Sequence, residues 1–133
     1  RIKYLLIMFT TPCFIRKNTP ELRKKLEEFG YKMGPIYSPN EQNLYIGGGT
    51  YASANFIDNY YLDCGTNEEL FLALAALRDD SGYIQWFVNN IRDWHRCIDI
   101  IFNDENVNRA LYTSGKNWHK ATIKEIIEHF NDK

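Results

Sequence analysis

The sequence has few of the features that announce chemistry. Its three cysteines, Cys13, Cys64 and Cys97, are widely spaced and form no C-x-x-C. That argues against a disulfide framework or a structural zinc site and for reduced thiols in a cytoplasmic setting. The three histidines, His95, His119 and His129, show no H-E-x-x-H or other ligand spacing, so no metal and no cofactor are expected. Charge of either sign is nearly cancelled at a net of −1, which leaves no global pull toward nucleic acid or an anionic membrane. The apolar run at residues 4–9 falls far short of the roughly 20 residues a membrane span needs. It also lacks a small-residue cleavage site, so a signal peptide is not expected.

What is present fits a globular protein of the α+β kind. A chain of 133 residues with 44% hydrophobic content can bury a core as a single domain, residues 1–133. Nine tyrosines and eight phenylalanines raise the aromatic share to 15%; such residues favour sheets and, when exposed, recognition surfaces. Charge is unevenly spread, +5 over residues 1–36 and −6 over residues 37–80. Opposite faces of one sheet, or mutual attraction, would accommodate this asymmetry.

Residues 2–9 are β-branched and aromatic enough to form a buried strand, ended by Thr10-Thr11-Pro12. Thr19, Pro20 and Glu21 then read as the N-cap and first turn of a helix. Leu22, Leu26 and Phe29 form its apolar stripe, and Gly30 is a left-handed stop. Residues 31–37, 43–47, 50–56 and 60–64 read as an antiparallel meander. A second helix opens at Thr66 with Glu69 in a capping box, and its body, 70–77, is apolar nearly all round. Residues 83–88 read as a strand. Asp93 is expected to cap a helix over 94–102 and Asp104 another to residue 111. Thr122 and Glu125 form a capping box for a terminal helix. "RDWHRCIDIIF" and "KNWHKATIKEIIEHF" echo one another, as two helix entrances anchored by tryptophan. This order suits a mainly antiparallel sheet of four to six strands, ferredoxin-like or a related split βαβ, with an extra hairpin and three to five helices.

Each candidate site has a structural alternative. "NLYIGGGTYASANF" places Gly47-Gly48-Gly49 after a strand, but no Lys follows and the next segment alternates like a second strand. A hairpin tip fits better than a phosphate loop. Cys13 precedes Arg16, Lys17 and a helix N-terminus, a setting that can activate a thiol, although an inert buried cysteine is the plainer reading. Asp79-Asp80 can serve acid–base chemistry or simply end a helix beside Arg78. The basic stretch "RKNTPELRKK" offers Arg16, Lys17, Lys24 and Lys25 to phosphates, or is a solvated helix face.

"CGTNEELFLALAALRDDSGYIQWF" and the closing "KATIKEIIEHF" resemble a recurring pattern in small uncharacterised bacterial proteins of gut anaerobes and their mobile elements. The resemblance covers roughly a third of the chain. It implies a cytoplasmic bacterial protein and carries over no activity or residue role.

The functional expectation is a non-enzymatic binding protein that contacts a protein partner, or a second copy of itself, through a tyrosine-rich sheet face. Tyr45, Tyr51 and Tyr60 are the candidate contacts, with Tyr37 and Tyr61 beside them. One alternative is single-stranded nucleic-acid binding, with aromatics stacking bases and Arg16 to Lys25 following the backbone. Another is a small enzyme acting on an anionic substrate through Cys13 or Asp79/Asp80.

Overall fold

The computed structural model describes residues 9–78, 84–96 and 118–131. Among these residues the chain is α+β, with three helices, two sheets and a helical C-terminal segment. The expected strand at 2–9 lies outside the described residues except for Phe9, which bridges to Arg78. The Asp79-Asp80 pair, Cys97 and the helix expected at 104–111 also lie outside them.

Helix α1 (Pro20–Phe29) forms as its sequence dictates. The Thr19 hydroxyl accepts the Leu22 N–H at 3.2 Å, Pro20 occupies the first turn, and Gly30 closes the helix at φ +118°. Its apolar stripe, Leu22, Leu26 and Phe29, is buried. Each of these side chains contributes about 1.5–3 kcal/mol by leaving water.

The first sheet has five strands in the order β2-β4-β3-β1-β5. They are β1 (Cys13–Ile15), β2 (Lys32–Met33), β3 (Asn43–Gly47), β4 (Thr50–Ala54) and β5 (Leu62–Asp63). Cys13 is thus not in a loop after the first strand but inside β1, where all three residues are wholly buried. β3 and β4 form the expected hairpin, with Gly48 and Gly49 at φ +60° and +85°. Positive φ at both central residues is what a two-residue hairpin of type I′ requires. β1 joins β3 in antiparallel fashion, but the two edge pairings depart from an antiparallel meander. β5 runs parallel to β1, and β2 parallel to β4. The stretches expected as strands at 31–37 and 60–64 shrink to two residues each. Tertiary pairing decides both, since only Leu62–Asp63 and Lys32–Met33 meet a partner in register.

Helix α2 (Glu68–Ala75) is capped by Asn67, one residue later than the sequence suggests. The Asn67 carboxamide oxygen accepts the Leu70 N–H at 3.0 Å, while its NH2 donates to the Phe130 carbonyl at 2.8 Å. That second bond explains the displacement, because Asn67 caps α2 and ties it to the chain terminus together. Leu70, Phe71, Ala73, Leu74 and Ala75 are buried, so α2 packs on both sides.

The second sheet is antiparallel, β7-β6-β8, built from β6 (Trp86–Val88), β7 (Trp94–Arg96) and β8 (His119–Lys120). The residues after Asp93 therefore start as a strand, not as the expected helix. Asn89 is responsible: its side-chain oxygen accepts the N–H groups of Ile91 and Asp93, which closes a turn into β7. The echoed Trp-His-basic segments prove to be the two antiparallel partners of β6. Val88 faces Trp94 on one side and His119 on the other. Helix α3 (Ile123–Asn131) follows, and the Thr122/Glu125 capping box is formed in both directions.

Replacement of Asn67 by Ala removes a cap and an interhelical bond. It should cost about 1–2 kcal/mol in urea unfolding, whereas Thr66→Ala should stay within about 0.5 kcal/mol. Equal effects would return the cap to Thr66.

Candidate functional site

Strand alternation gives the first sheet two unlike faces. Cys13, Ile15, Leu44, Ile46 and Tyr51 belong to the main core with α1 and α2. Phe14 and Tyr45 point the other way, where the segment between β4 and β5 covers them. Their rings stack at 4.7 Å and 17°. Tyr61 meets Tyr45 edge-on at 5.0 Å, Phe56 lies 5.9 Å from Tyr45, and Tyr60 sits edge-on to Tyr61 at 5.2 Å. Such pairs contribute about 0.5–1.5 kcal/mol each beyond area burial. The Tyr45 hydroxyl donates to the Phe56 carbonyl, and Asn43 donates to the same oxygen at 3.0 Å. Burial, then the charge of Asp58, raises the Tyr45 pKa.

The outer layer of this cluster faces solvent. Phe56 is 61% exposed, Ile57 56% and Tyr60 75%. Beside it Arg16 forms a two-point ion pair with Asp63, Nε to Oδ1 at 3.2 Å and Nη2 to Oδ2 at 2.5 Å. The hydrogen bond from Arg16 holds the Asp63 carboxyl below its ordinary range, assisted by the Gly65 N–H and opposed by partial burial. The arrangement is an apolar projection on a rigid aromatic base with a polar edge.

Of the tyrosines expected to make contacts, only Tyr60 is a surface group. Tyr45 and Tyr51 are buried at 6% and 1% exposure. Tyr51 belongs to the helix side, where its hydroxyl donates to Glu27 at 2.5 Å and its ring meets Tyr37 at 90°. Burial and that bond push its pKa up to about 12. Phe56 and Ile57 were not among the expected contacts. Their signal was an apolar pair just beyond the hairpin, of which alternation had assigned Phe56 to the end of the strand at 50–56 and left Ile57 outside it.

Of the basic candidates only Arg16 reaches the aromatic cluster, its guanidinium 5.8 Å from the Phe14 ring centre. Arg16 is paired with Asp63 and Lys17 with Glu68, while Lys24 and Lys25 are exposed on α1. Since α1 packs on the inner face, the Lys24 and Lys25 charges and the exposed aromatics lie on opposite sides of the sheet. Cys13 is no nucleophile at a helix N-terminus either. Burial first, then hydrogen bonding and charge interaction with the neighbouring Cys64 thiol, raises its pKa well above the ordinary value.

A third cluster lies at the start of α3. Glu125 accepts from the Thr122 N–H at 2.9 Å and from Arg92 at 3.1 Å, and lies 2.9 Å from His119 Nε2. Burial would raise its pKa, but the hydrogen bonds from Thr122, His119 and Arg92 prevail and hold it at about 2. Three contacts converge on one cap residue, so its first task is to fasten α3 to β8 and to the β6–β7 turn. Among the described residues no group of three His, Cys, Asp or Glu side chains is placed to hold a metal, and no helix is long and apolar enough to cross a membrane.

No protein-family model matches the chain, and no curated protein or solved structure matches it either. Function must therefore be argued from these surfaces.

Two outcomes follow. Cys13 and Cys64 should resist alkylation by iodoacetamide until the protein unfolds, as peptide mass spectrometry would register; prompt labelling of Cys13 in the native protein would contradict its burial. Glu125 has a folded pKa below its ordinary 4.5, so its stabilising effect is complete above pH 4.5 and is lost as pH falls toward 2. Acid unfolding followed by circular dichroism should show this loss in the native chain and a shallower slope for Glu125→Gln.

Proposed function

We propose that this chain is a binding module that works by protein–protein contact through the aromatic projection formed by Phe56, Ile57 and Tyr60. A second copy of the chain is the simplest partner. One observation carries the reading: three large apolar side chains stand in solvent within five residues, on a base of stacked rings. Exposed apolar groups so close together mark contact sites more often than ordinary surface. Aromatic anchors over a preordered base lose little conformational freedom on binding, which is why such residues dominate interface energetics. The Arg16–Asp63 pair at the edge suits an interface rim, where charges set orientation more than affinity.

Catalysis finds less support. Cys13 is enclosed, and the Thr122 hydroxyl beside Glu125 is engaged in the helix cap, donating to its carboxylate and accepting its N–H. Stacking of single-stranded nucleic acid would engage the projection but would leave Lys24 and Lys25 on the far side of the sheet.

Sedimentation equilibrium tests the proposal directly. The native chain should self-associate with concentration, and Phe56→Ala or Tyr60→Ala should each weaken association about thirtyfold, the roughly 2 kcal/mol cost of a hot-spot residue. Both variants should retain the native circular dichroism, because the side chains are exposed. A native chain that stays monomeric into the millimolar range would overturn self-association, as would variants that associate unchanged.

A further inference from the structure

A second site lies away from the aromatic projection, where α1, α2, α3 and the second sheet meet. A cavity of about 320 Å³ opens there, at the lower end of the size range for small-molecule sites. Phe29, Leu72, Trp86 and Phe130 give it apolar walls. Trp86 and Phe130 pack with ring centroids 5.6 Å apart, and Phe130 meets Trp94 at 6.1 Å, so the walls are held from behind.

Charges of both signs line the same cavity: Lys25 and Arg96, with Glu28 and Glu69. Arg96 reaches the cavity from the exposed end of β7. Its Nε donates to the Ile84 carbonyl at 3.4 Å and its guanidinium lies 5.9 Å from the Phe29 ring centre. Ile84, which also lines the cavity, holds φ at +61°. A β-branched residue adopts that conformation only at a cost, and such strain gathers at ligand sites. Here it presents the carbonyl that positions Arg96.

We propose that this cavity binds a free α-amino acid with a large apolar, preferably aromatic, side chain. The side chain enters between Trp86, Phe29 and Phe130. The carboxylate meets Arg96 and Lys25, and the ammonium meets Glu28 and Glu69. Cations and carboxylates together on one small apolar cavity complement a zwitterion better than an ion of either sign. A ligand that carries one sign only forgoes one of the two ion contacts at the cavity mouth.

Two-dimensional NMR titration of the full chain tests this with four probes: L-phenylalanine, 3-phenylpropionate, phenethylamine and glycine. L-Phenylalanine should shift the Trp86 indole and Ile84 methyl signals and saturate in the millimolar range or below. Glycine should bind at least tenfold more weakly, and the two singly charged analogues about threefold, as the loss of one exposed ion contact implies. Arg96→Gln should erase the preference for L-phenylalanine over phenethylamine, and Glu69→Gln the preference over 3-phenylpropionate. Absence of a saturable shift at Trp86 would overturn the proposal, as would equal binding of 3-phenylpropionate and L-phenylalanine, or wild-type selectivity in Arg96→Gln.

Discussion

Strand β1 is buried on both faces, and most of the architecture answers to that constraint. Cys13 and Ile15 face the helices, while Phe14 faces away from them, yet none of the three is exposed. The inner side is closed by α1, whose apolar stripe comes directly from sequence periodicity, and by α2, which is apolar nearly all round. No helix closes the outer side among the described residues. There the sheet is covered by its own loop, through Tyr61 and Phe56 resting on Tyr45. A loop cover is thin. Its inner atoms pack on Phe14 and Tyr45 and its outer atoms meet water, so the residues that protect the sheet are also the ones left exposed.

Local signals were legible where local physics decides the outcome. The Thr19 cap, the Leu22-Leu26-Phe29 stripe, the Gly30 stop, the glycine hairpin tip and the Thr122/Glu125 box each depend on groups within a few residues of one another. Non-local choices were not legible. Asn67 displaced Thr66 as a cap because Phe130, 63 positions away, offered it a carbonyl. Trp94 entered a strand because Asn89 turned the chain back onto β6. Tyr45 and Tyr51 alternate with their neighbours as strand residues should, but alternation alone does not say that both faces of the sheet are covered.

The same limit applied to the sites. Tyr60 was singled out as a contact, whereas Phe56 looked like the end of a strand and proved, with Ile57, to belong to the loop that follows it. The cavity beside Trp86 draws on three helices and two strands, and no short window of sequence contains more than a few of its residues. Lys25 was singled out as part of a basic stretch, and its place on the same cavity as Arg96, 71 positions later in the chain, emerged only in three dimensions.

The edges of the first sheet carry a consequence for solubility. β5 and β2 are only two residues long. In β5 the N–H groups of Leu62 and Cys64 already serve the carbonyls of Pro12 and Phe14, so by alternation Asp63 alone turns its amide outward. A single outward amide, flanked by a carboxylate held in an ion pair, is too little template for another chain to add as a strand and then a third upon it. Contacts made beside that edge must come from side chains, which fill a finite surface and then stop. At the β5 edge, exposed phenylalanine, isoleucine and tyrosine therefore stand beside a backbone that offers no template for open-ended fibre growth.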